Sequence, residues 1–195
     1  MLNVVIFGAP GSGKGTQSEM ITKQFELDHI STGDVLRAEI KAQTEIGKLA
    51  DSYISKGNLV PDEVIVEMLE MVINEKKNCK GIIFDGFPRT IAQAEALKKM
   101  LKKREADVTV MLDLKVDNEE LIVRLLERGK RSGRSDDNLE TIKSRLEVYE
   151  NYTAPLINHY KAEGKHIEVL GTGSIEAIFE RIKKAINEVS GSHNA

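Results

Sequence analysis

The sequence is poor in cysteine, and Cys79 is the single one in 195 residues. One thiol excludes a disulfide framework and a four-cysteine zinc site within the chain. We therefore expect no structural zinc. A lone thiol is also compatible with a reducing compartment such as the cytoplasm.

The sequence also lacks a large charge excess, a long apolar run and a basic leader. Lys and Arg number 28 against 31 Asp and Glu, a net charge of −3, whereas nucleic-acid-binding domains are usually basic. No apolar run has the length that crosses a membrane, and no basic region precedes the apolar N-terminus. We expect a cytoplasmic protein that binds neither nucleic acid nor membrane.

The most informative stretch that is present runs from Gly8 to Thr16, with the sequence GAPGSGKGT. It follows an apolar run typical of a buried strand and precedes an amphipathic run typical of a helix, which is the context of a phosphate-binding loop. Glycines allow successive N–H groups to point at one anion, and the helix start adds positive charge. Lys14 supplies a mobile charge for the outer phosphates. Gly15 separates this lysine from the nearest hydroxyl, Thr16, which is a candidate ligand of Mg²⁺.

Strand and helix patterns alternate along the chain. Apolar runs predict strands at 2–7, 29–31, 81–85, 108–114 and 166–170. Between and after them, helical spacing predicts helices at 17–25, 35–42, 46–54, 62–74, 90–104, 117–127, 138–163 with a kink at Pro155, and 174–189. This alternation predicts an α/β fold of the phosphate-loop NTPase type, with three layers and a five-stranded parallel sheet.

The end of a predicted strand at Asp85 marks a second functional position. Gly8, Asp85 and Gly171 all lie at carboxyl ends of predicted strands, where ligands of parallel sheets gather. A carboxylate there can hold Mg²⁺ directly or through a water molecule. The alternative is a structural carboxylate that accepts hydrogen bonds from the amides of its loop.

Arginines near loops suggest a reaction that joins two anions. They are Arg37, Arg89, Arg124, Arg128, Arg134 and Arg145. Two phosphorylated substrates repel each other, and bidentate guanidinium groups can neutralise their phosphate oxygens. A hydrolase would need fewer such groups and a residue to orient water.

Four motifs in order give the chain a resemblance to a known family. They are GAPGSGKGTQ from Gly8, STGDVLR from Ser31, DGFPR from Asp85 with Gln93 after it, and RSDDN from Arg134 followed by Arg145. Together these segments resemble those of adenylate kinases, in the nucleoside monophosphate kinase family, from residue 4 to about residue 182. The resemblance implies reversible, Mg²⁺-dependent phosphoryl transfer from ATP to AMP, giving two ADP, by a monomer.

The resemblance also implies roles for individual residues. The ATP-binding positions would be Gly11, Ser12, Gly13, Lys14, Gly15, Thr16, Arg124, Arg128 and Gly173. The AMP-binding positions would be Thr32, Arg37, Asn58, Leu59, Val60, Gly86, Phe87, Pro88, Arg89, Gln93, Arg134 and Arg145. The catalytic charges would come from Lys14, Arg37, Arg89, Arg128, Arg134 and Arg145, and Asp85 and Thr16 would serve Mg²⁺. Gln93 has a competing structural role, because Thr90 to Gln93 is also a capping-box sequence.

Two segments are expected to cover the substrates of a single core domain, residues 1–195. Residues 31–60 would form an AMP-binding insertion and residues 127–137 a short lid, too short for the separate lid domain of longer relatives.

Two alternatives stay open. A UMP/CMP kinase would share the loop and the arginines, although Thr32 and Gln93 favour adenine. A nucleotide-switch protein would need a hydroxyl residue directly after the loop lysine and an N-K-x-D base motif, and neither is found.

Overall fold

The central sheet is parallel throughout. A computed structural model describes residues 1–76 and 79–192, and within these ranges five strands form one sheet in the order β2-β3-β1-β4-β5. The strands are β1 (Leu2–Phe7), β2 (Asp28–Ser31), β3 (Gly81–Asp85), β4 (Val110–Lys115) and β5 (His166–Leu170). In the centre, Val4 pairs with Ile83 of β3 and with Val110 of β4. The predicted fold class is confirmed.

Helices connect the strands and cover both faces of the sheet. They are α1 (Lys14–Phe25), α2 (Thr32–Lys41), α3 (Glu45–Ile54), α4 (Asp62–Glu75), α5 (Ile91–Lys102), α6 (Asn118–Ser132), α7 (Leu139–Val148), α8 (Leu156–Ala162) and α9 (Ile175–Ser192). N-cap side chains accept hydrogen bonds at several helix starts: Ser31 from Asp34 N–H, Thr90 from Gln93 N–H and Asn138 from Thr141 N–H. Among the described residues, no helix combines the length and apolarity that a membrane crossing requires.

The continuous apolar strands follow from burial on both faces. Successive side chains of β1 point to opposite sides, so that Val5 and Phe7 join one apolar cluster while Val4 and Ile6 join the other. The first cluster contains residues of α4, α5 and α8, and it extends into the 31–60 segment through Leu36. The second cluster packs against α1 and α9.

Helix α6 is longer than its sequence pattern predicts. The prediction ended it near Glu127, because no apolar residue follows, but the helix continues to Ser132 and ends at Gly133 in a left-handed conformation, with φ 63°. Its last turns carry only polar side chains because they extend beyond the apolar core. Asp117 occupies the N-cap position of α6, but its side chain accepts no capping hydrogen bond.

The predicted kink at Pro155 is confirmed, although the break is wider than one residue. The single predicted helix is divided into α7, a π-helical turn at Tyr149–Thr153, and α8, which begins directly after Pro155. Proline has no N–H group to continue the preceding hydrogen bonds. The turn that forms instead brings Thr153 to the edge of the functional site.

Helices α2 and α3 approach so closely that a side chain has no room at Gly47. An added Cβ there would lie 2.1 Å from the carbonyl oxygen of Glu39. We expect Gly47→Ala to destabilise the protein by about 1–3 kcal/mol, because backbone atoms must move apart. Thermal unfolding measures this effect, and Gly191→Ala is the matched control, since nothing lies within 4 Å of its added Cβ. Equal unfolding temperatures for Gly47→Ala and the wild type would contradict the prediction.

Candidate active site

A cavity of about 680 Å³ opens at the carboxyl ends of the strands. It brings together nearly all of the positions that the sequence singled out. Those lining it are Gly11, Gly13, Lys14, Gly15, Thr16, Thr32, Arg37, Asn58, Leu59, Val60, Asp85, Gly86, Phe87, Pro88, Arg89, Gln93, Arg124, Arg128, Arg134 and Arg145. Ser12 and Gly173 are not among the lining residues. The volume is within the usual range for small-molecule sites.

The phosphate loop has the backbone geometry that its glycines predicted. Gly13 adopts φ 95° immediately before α1, and a Cβ at Gly11 would lie 2.9 Å from Leu125 Cγ of α6. Ser12 is buried, and its N–H donates to Ala9 O at 3.1 Å. Its side chain therefore lies beneath the loop rather than in the cavity.

Lys14 folds back into the loop. Its Nζ donates to the carbonyl oxygens of Gly8 and Ala9, at 2.7 and 2.9 Å. Burial, opposed by the charge of Asp85 and reinforced by the positive charges of Arg89, Arg145 and Arg128, lowers the pKa of Lys14 to about 8. An anion bound beside this ammonium would raise its pKa again.

The buried carboxylates of Asp136 and Asp137 pair with Arg128 and Arg145. Arg128 Nε and Nη2 donate to Asp137 at 2.7 and 2.8 Å, and Arg145 Nη1 lies 2.8 Å from both Asp136 and Asp137. Both aspartates are 6% exposed. Both belong to the RSDDN motif, which assigned them no role; their signal in the sequence is an acidic pair one residue beyond Arg134.

Arg89 is fixed along its whole length. Its Nε donates to Gly86 O at 2.8 Å, its N–H donates to Gln93 Oε1 at 2.7 Å, and its carbonyl accepts from Thr153 Oγ1 at 3.0 Å. Burial, followed by the charge of Arg145, lowers the pKa of Arg89. The guanidinium of Arg89 is thus held rigidly beside the positive charge of Arg145.

The two remaining arginines of the cluster differ in their partners. Arg37 pairs with Asp34 at 2.5 Å, whereas the guanidinium of Arg134 has no hydrogen-bond or ion-pair partner in the described part of the chain. Burial, then the charges of Arg37 and Arg128, lower the pKa of Arg134. This crowding of cations would be relieved by bound phosphate groups.

Asp85 lies at the carboxyl end of β3, between His29 and the phosphate loop. Its carboxylate is 13% exposed, with His29 Nε2 at 3.8 Å and, in the described ranges, no hydrogen-bond donor. The alternative in which Asp85 accepts from loop amides is therefore wrong. Asp85 Oδ2 lies 3.8 Å from the position of a Cβ at Gly15, directly beside the phosphate loop. Mg²⁺ is usually held by only one or two protein oxygens together with substrate phosphates. Thr16 follows Gly15 directly, and its exposed hydroxyl is a second candidate ligand.

Gln93 serves the structure and faces the cavity at once. Its N–H donates to Thr90 Oγ1 at 3.2 Å, while its Oε1 accepts from Arg89 N–H and its Nε2 donates to Asp62 Oδ1 at 2.7 Å. The helix cap is confirmed, but the amide reaches Arg89 rather than Thr90. One Oε1 lone pair and one Nε2 hydrogen remain available. Thr32 Oγ1 donates to Gly86 O at 2.9 Å and keeps only its acceptor capacity.

A separate group of contacts holds the loop after β5. Arg124 Nη2 donates to Gly171 O at 3.1 Å and also contacts Glu120. Arg181 Nη1 donates to Leu170 O and Thr172 O, at 2.7 and 2.9 Å. Arg181 is not recognisable from the sequence, because a solvent-facing arginine on an amphipathic helix carries no distinguishing pattern.

Comparisons with known proteins agree with this geometry. The sequence profile of the adenylate kinase family matches residues 6–165. The chain belongs to the adenylate kinase family. It is therefore a phosphotransferase, and phosphoryl transfer between ATP and AMP is the activity of its family.

Relatives match over nearly their whole length. The adenylate kinase of Parabacteroides distasonis is 70% identical over 189 residues, covering 97% of this chain and 100% of the relative. That of Bacteroides fragilis is 62% identical over 187 residues, covering 96% and 99%, and that of Porphyromonas gingivalis is 56% identical over 188 residues, covering 96% and 97%. These relatives are therefore about as long as this chain and contain no additional lid domain.

The lowered pKa of Lys14 predicts the pH dependence of ATP use. We expect kcat/KM for ATP to fall above about pH 8, because the free enzyme then loses the lysine charge that binds phosphate. The value of kcat should decline only at higher pH, since bound phosphate keeps Lys14 protonated. Steady-state rates between pH 6 and 10 measure both profiles. Lys14→Arg, which stays charged, should lose the inflection, and persistence of the inflection in that variant would assign it to another group.

Proposed function

We propose that the enzyme transfers the γ-phosphoryl group of ATP reversibly to AMP, with Lys14 and five arginines neutralising the two sets of phosphates. The observation that carries this assignment is the convergence of Lys14, Arg37, Arg89, Arg128, Arg134 and Arg145 on one cavity. Asp136 and Asp137 pair with Arg128 and Arg145, and Asp34 pairs with Arg37, which leaves Lys14, Arg89 and Arg134 without an ion-pair partner in the described ranges. The remaining positive charge matches a pair of anionic substrates.

On the donor side, the loop from Gly11 to Thr16 would surround the ATP phosphates. Lys14 would leave the carbonyl oxygens of Gly8 and Ala9 for the transferring group. Ser12 would contribute by holding the loop from below. Arg128 would contact phosphates, while Arg124 and the backbone near Gly173 would lie against adenine, an arrangement supported by the Arg124 contact with Gly171.

On the acceptor side, Arg37, Arg89, Arg134 and Arg145 would hold the AMP phosphate and the charge that develops during transfer. Thr32, the backbone of residues 58–60 and the segment 86–88 would enclose the nucleoside, with Gln93 reading adenine. Burial of Thr32 and Gln93, each 2% exposed, supports a preformed base site.

Positioning and fixed charge would account for most of the catalysis. The AMP phosphate is already an anionic nucleophile, so attack in line needs no general base. Arg89, Arg128 and Arg145 are held by hydrogen bonds before substrate binds, which lowers the reorganisation needed in the transition state. Mg²⁺ bound with ATP would supply further charge neutralisation, and Asp85 and Thr16 are the residues that would hold it.

Residues 31–60 and 127–137 would act as covers that exclude water. Two hydrogen bonds support closure of the first cover: Ser144 Oγ donates to Lys56 O at 3.0 Å, and Thr141 Oγ1 donates to Ser55 O at 3.4 Å. Exclusion of water would prevent wasteful hydrolysis of ATP. Such an enzyme would act as a cytoplasmic monomer without structural zinc.

Acceptor preference tests the proposed function directly. With ATP and Mg²⁺ present, ADP formation should be fast with AMP and slow with CMP or UMP, because Thr32 and Gln93 present an adenine-reading edge. A preference for CMP or UMP would keep the mechanism and overturn the base assignment. Phosphate release without any acceptor would overturn the proposal that the covers exclude water.

Arg89→Ala tests the charge argument. We expect kcat to fall by about 10²–10³, the usual loss when one preorganised charge partner is removed from a transition state. Lys99→Ala, which removes an exposed charge from α5, is the matched control and should keep the wild-type rate. Equal loss of activity in both variants, or none in Arg89→Ala, would contradict the role of Arg89.

A further inference from the structure

Asp62 joins the AMP-binding segment to the helix that carries Gln93. It is the first residue of α4, directly after the 58–61 segment, and its two carboxylate oxygens have different partners. Oδ1 accepts from Gln93 Nε2 and Oδ2 accepts from Thr90 Oγ1, both at 2.7 Å. Neither the phosphate loop nor the arginine motifs involve this residue.

These contacts allow only one orientation of the Gln93 amide. Arg89 N–H donates to Oε1, so the acceptor must lie on that side, and the Asp62 carboxylate can only accept, so Nε2 must lie on the other. A flipped amide would place Nε2 against the Arg89 N–H and Oε1 against a negative charge. Both contacts would be repulsive, and Gln93 is too buried for water to replace them.

We propose that Asp62 is a positioning residue that sets the base preference of the acceptor site by fixing the Gln93 amide for adenine. The amide keeps one Oε1 lone pair and one Nε2 hydrogen, which match the 6-amino group and N1 of adenine. A 6-oxo purine presents the inverse pattern, an acceptor at position 6 and a hydrogen on N1. This inference rests on the proposed role of Gln93 in reading AMP.

The hydrogen bond from Thr90 determines how an asparagine at position 62 would orient its amide. The Thr90 hydroxyl accepts from Gln93 N–H and donates to residue 62, so an asparagine there would turn its Oδ1 toward Thr90. Its Nδ2 would then face Gln93 Nε2, donor against donor. The Gln93 amide would gain a partner by flipping and would be opposed only by Arg89 N–H.

The experiment compares AMP with inosine monophosphate, its 6-oxo analogue, as acceptors for MgATP. The quantity measured is the ratio of the two kcat/KM values in the wild type, Asp62→Asn and Gln93→Ala. We expect Asp62→Asn to lower the AMP preference about tenfold, the value of one hydrogen bond that changes from matched to mismatched. Glu63→Gln is the matched control, because it removes an equal charge from an exposed position in the same first turn of α4 and should keep the wild-type ratio.

The outcomes separate this inference from the proposed function. A lower ratio in Asp62→Asn and in Gln93→Ala, with Glu63→Gln unchanged, supports the role of Asp62. A lower ratio in Gln93→Ala alone overturns the role of Asp62 and retains Gln93 as the adenine reader. An unchanged ratio in Gln93→Ala shows that Gln93 does not read the base, and both assignments fail. Equal losses with the two acceptors in Asp62→Asn mean a merely structural role and also overturn the inference.

A cooperative thermal unfolding transition shows which variants are folded. Should Asp62→Asn not fold, Asp62→Ala carries the test, because it removes the acceptor without adding a donor. Its ratio should fall in the same direction by a smaller factor, and an unchanged ratio in the folded Asp62→Ala variant overturns the proposal.

Discussion

Repulsion between like charges is the constraint on which this site depends. Lys14 and five arginines share one cavity of about 680 Å³, and burial removes much of the water that would screen them. Burial, and after it the charges of neighbouring arginines, lowers the pKa values of Lys14, Arg89, Arg134 and Arg145. Asp136 and Asp137 offset part of this repulsion, and phosphate groups would offset more. The same crowding that is unfavourable in the free protein therefore favours two anionic ligands together.

Rigid placement of these charges comes from contacts that touch no ligand. Arg89 is held through its N–H by Gln93, through its carbonyl by Thr153 and through its Nε by Gly86. Thr153 reaches this carbonyl because the helical path is widened into a π turn before Pro155. A proline on one helix thus contributes to the position of an arginine on a loop more than sixty residues earlier.

The acceptor side links its base site to its phosphate site by a short path. Asp62 holds Gln93, Gln93 holds the Arg89 backbone, and Arg89 would hold phosphate. Contacts of Ser144 and Thr141 with residues 55–56 add the lid side to the same assembly. The residue proposed to read the base and the arginine proposed to bind phosphate therefore share one hydrogen-bond network.

The sequence by itself determined the features that depend on local pattern. Apolar runs placed the five strands, the glycine loop placed the anion site, and strand ends placed Asp85 beside it, because parallel strands bring their carboxyl ends to one edge. Only the tertiary structure decided the length of α6, the bidentate pairing of Arg128 with Asp137, the anchoring of Arg89 by Thr153, and the fixed amide of Gln93. The physical reason is that a buried hydrogen bond joins side chains from separate elements, 31 residues apart for Asp62 and Gln93. Neither periodicity nor composition records such a pairing before the chain is folded.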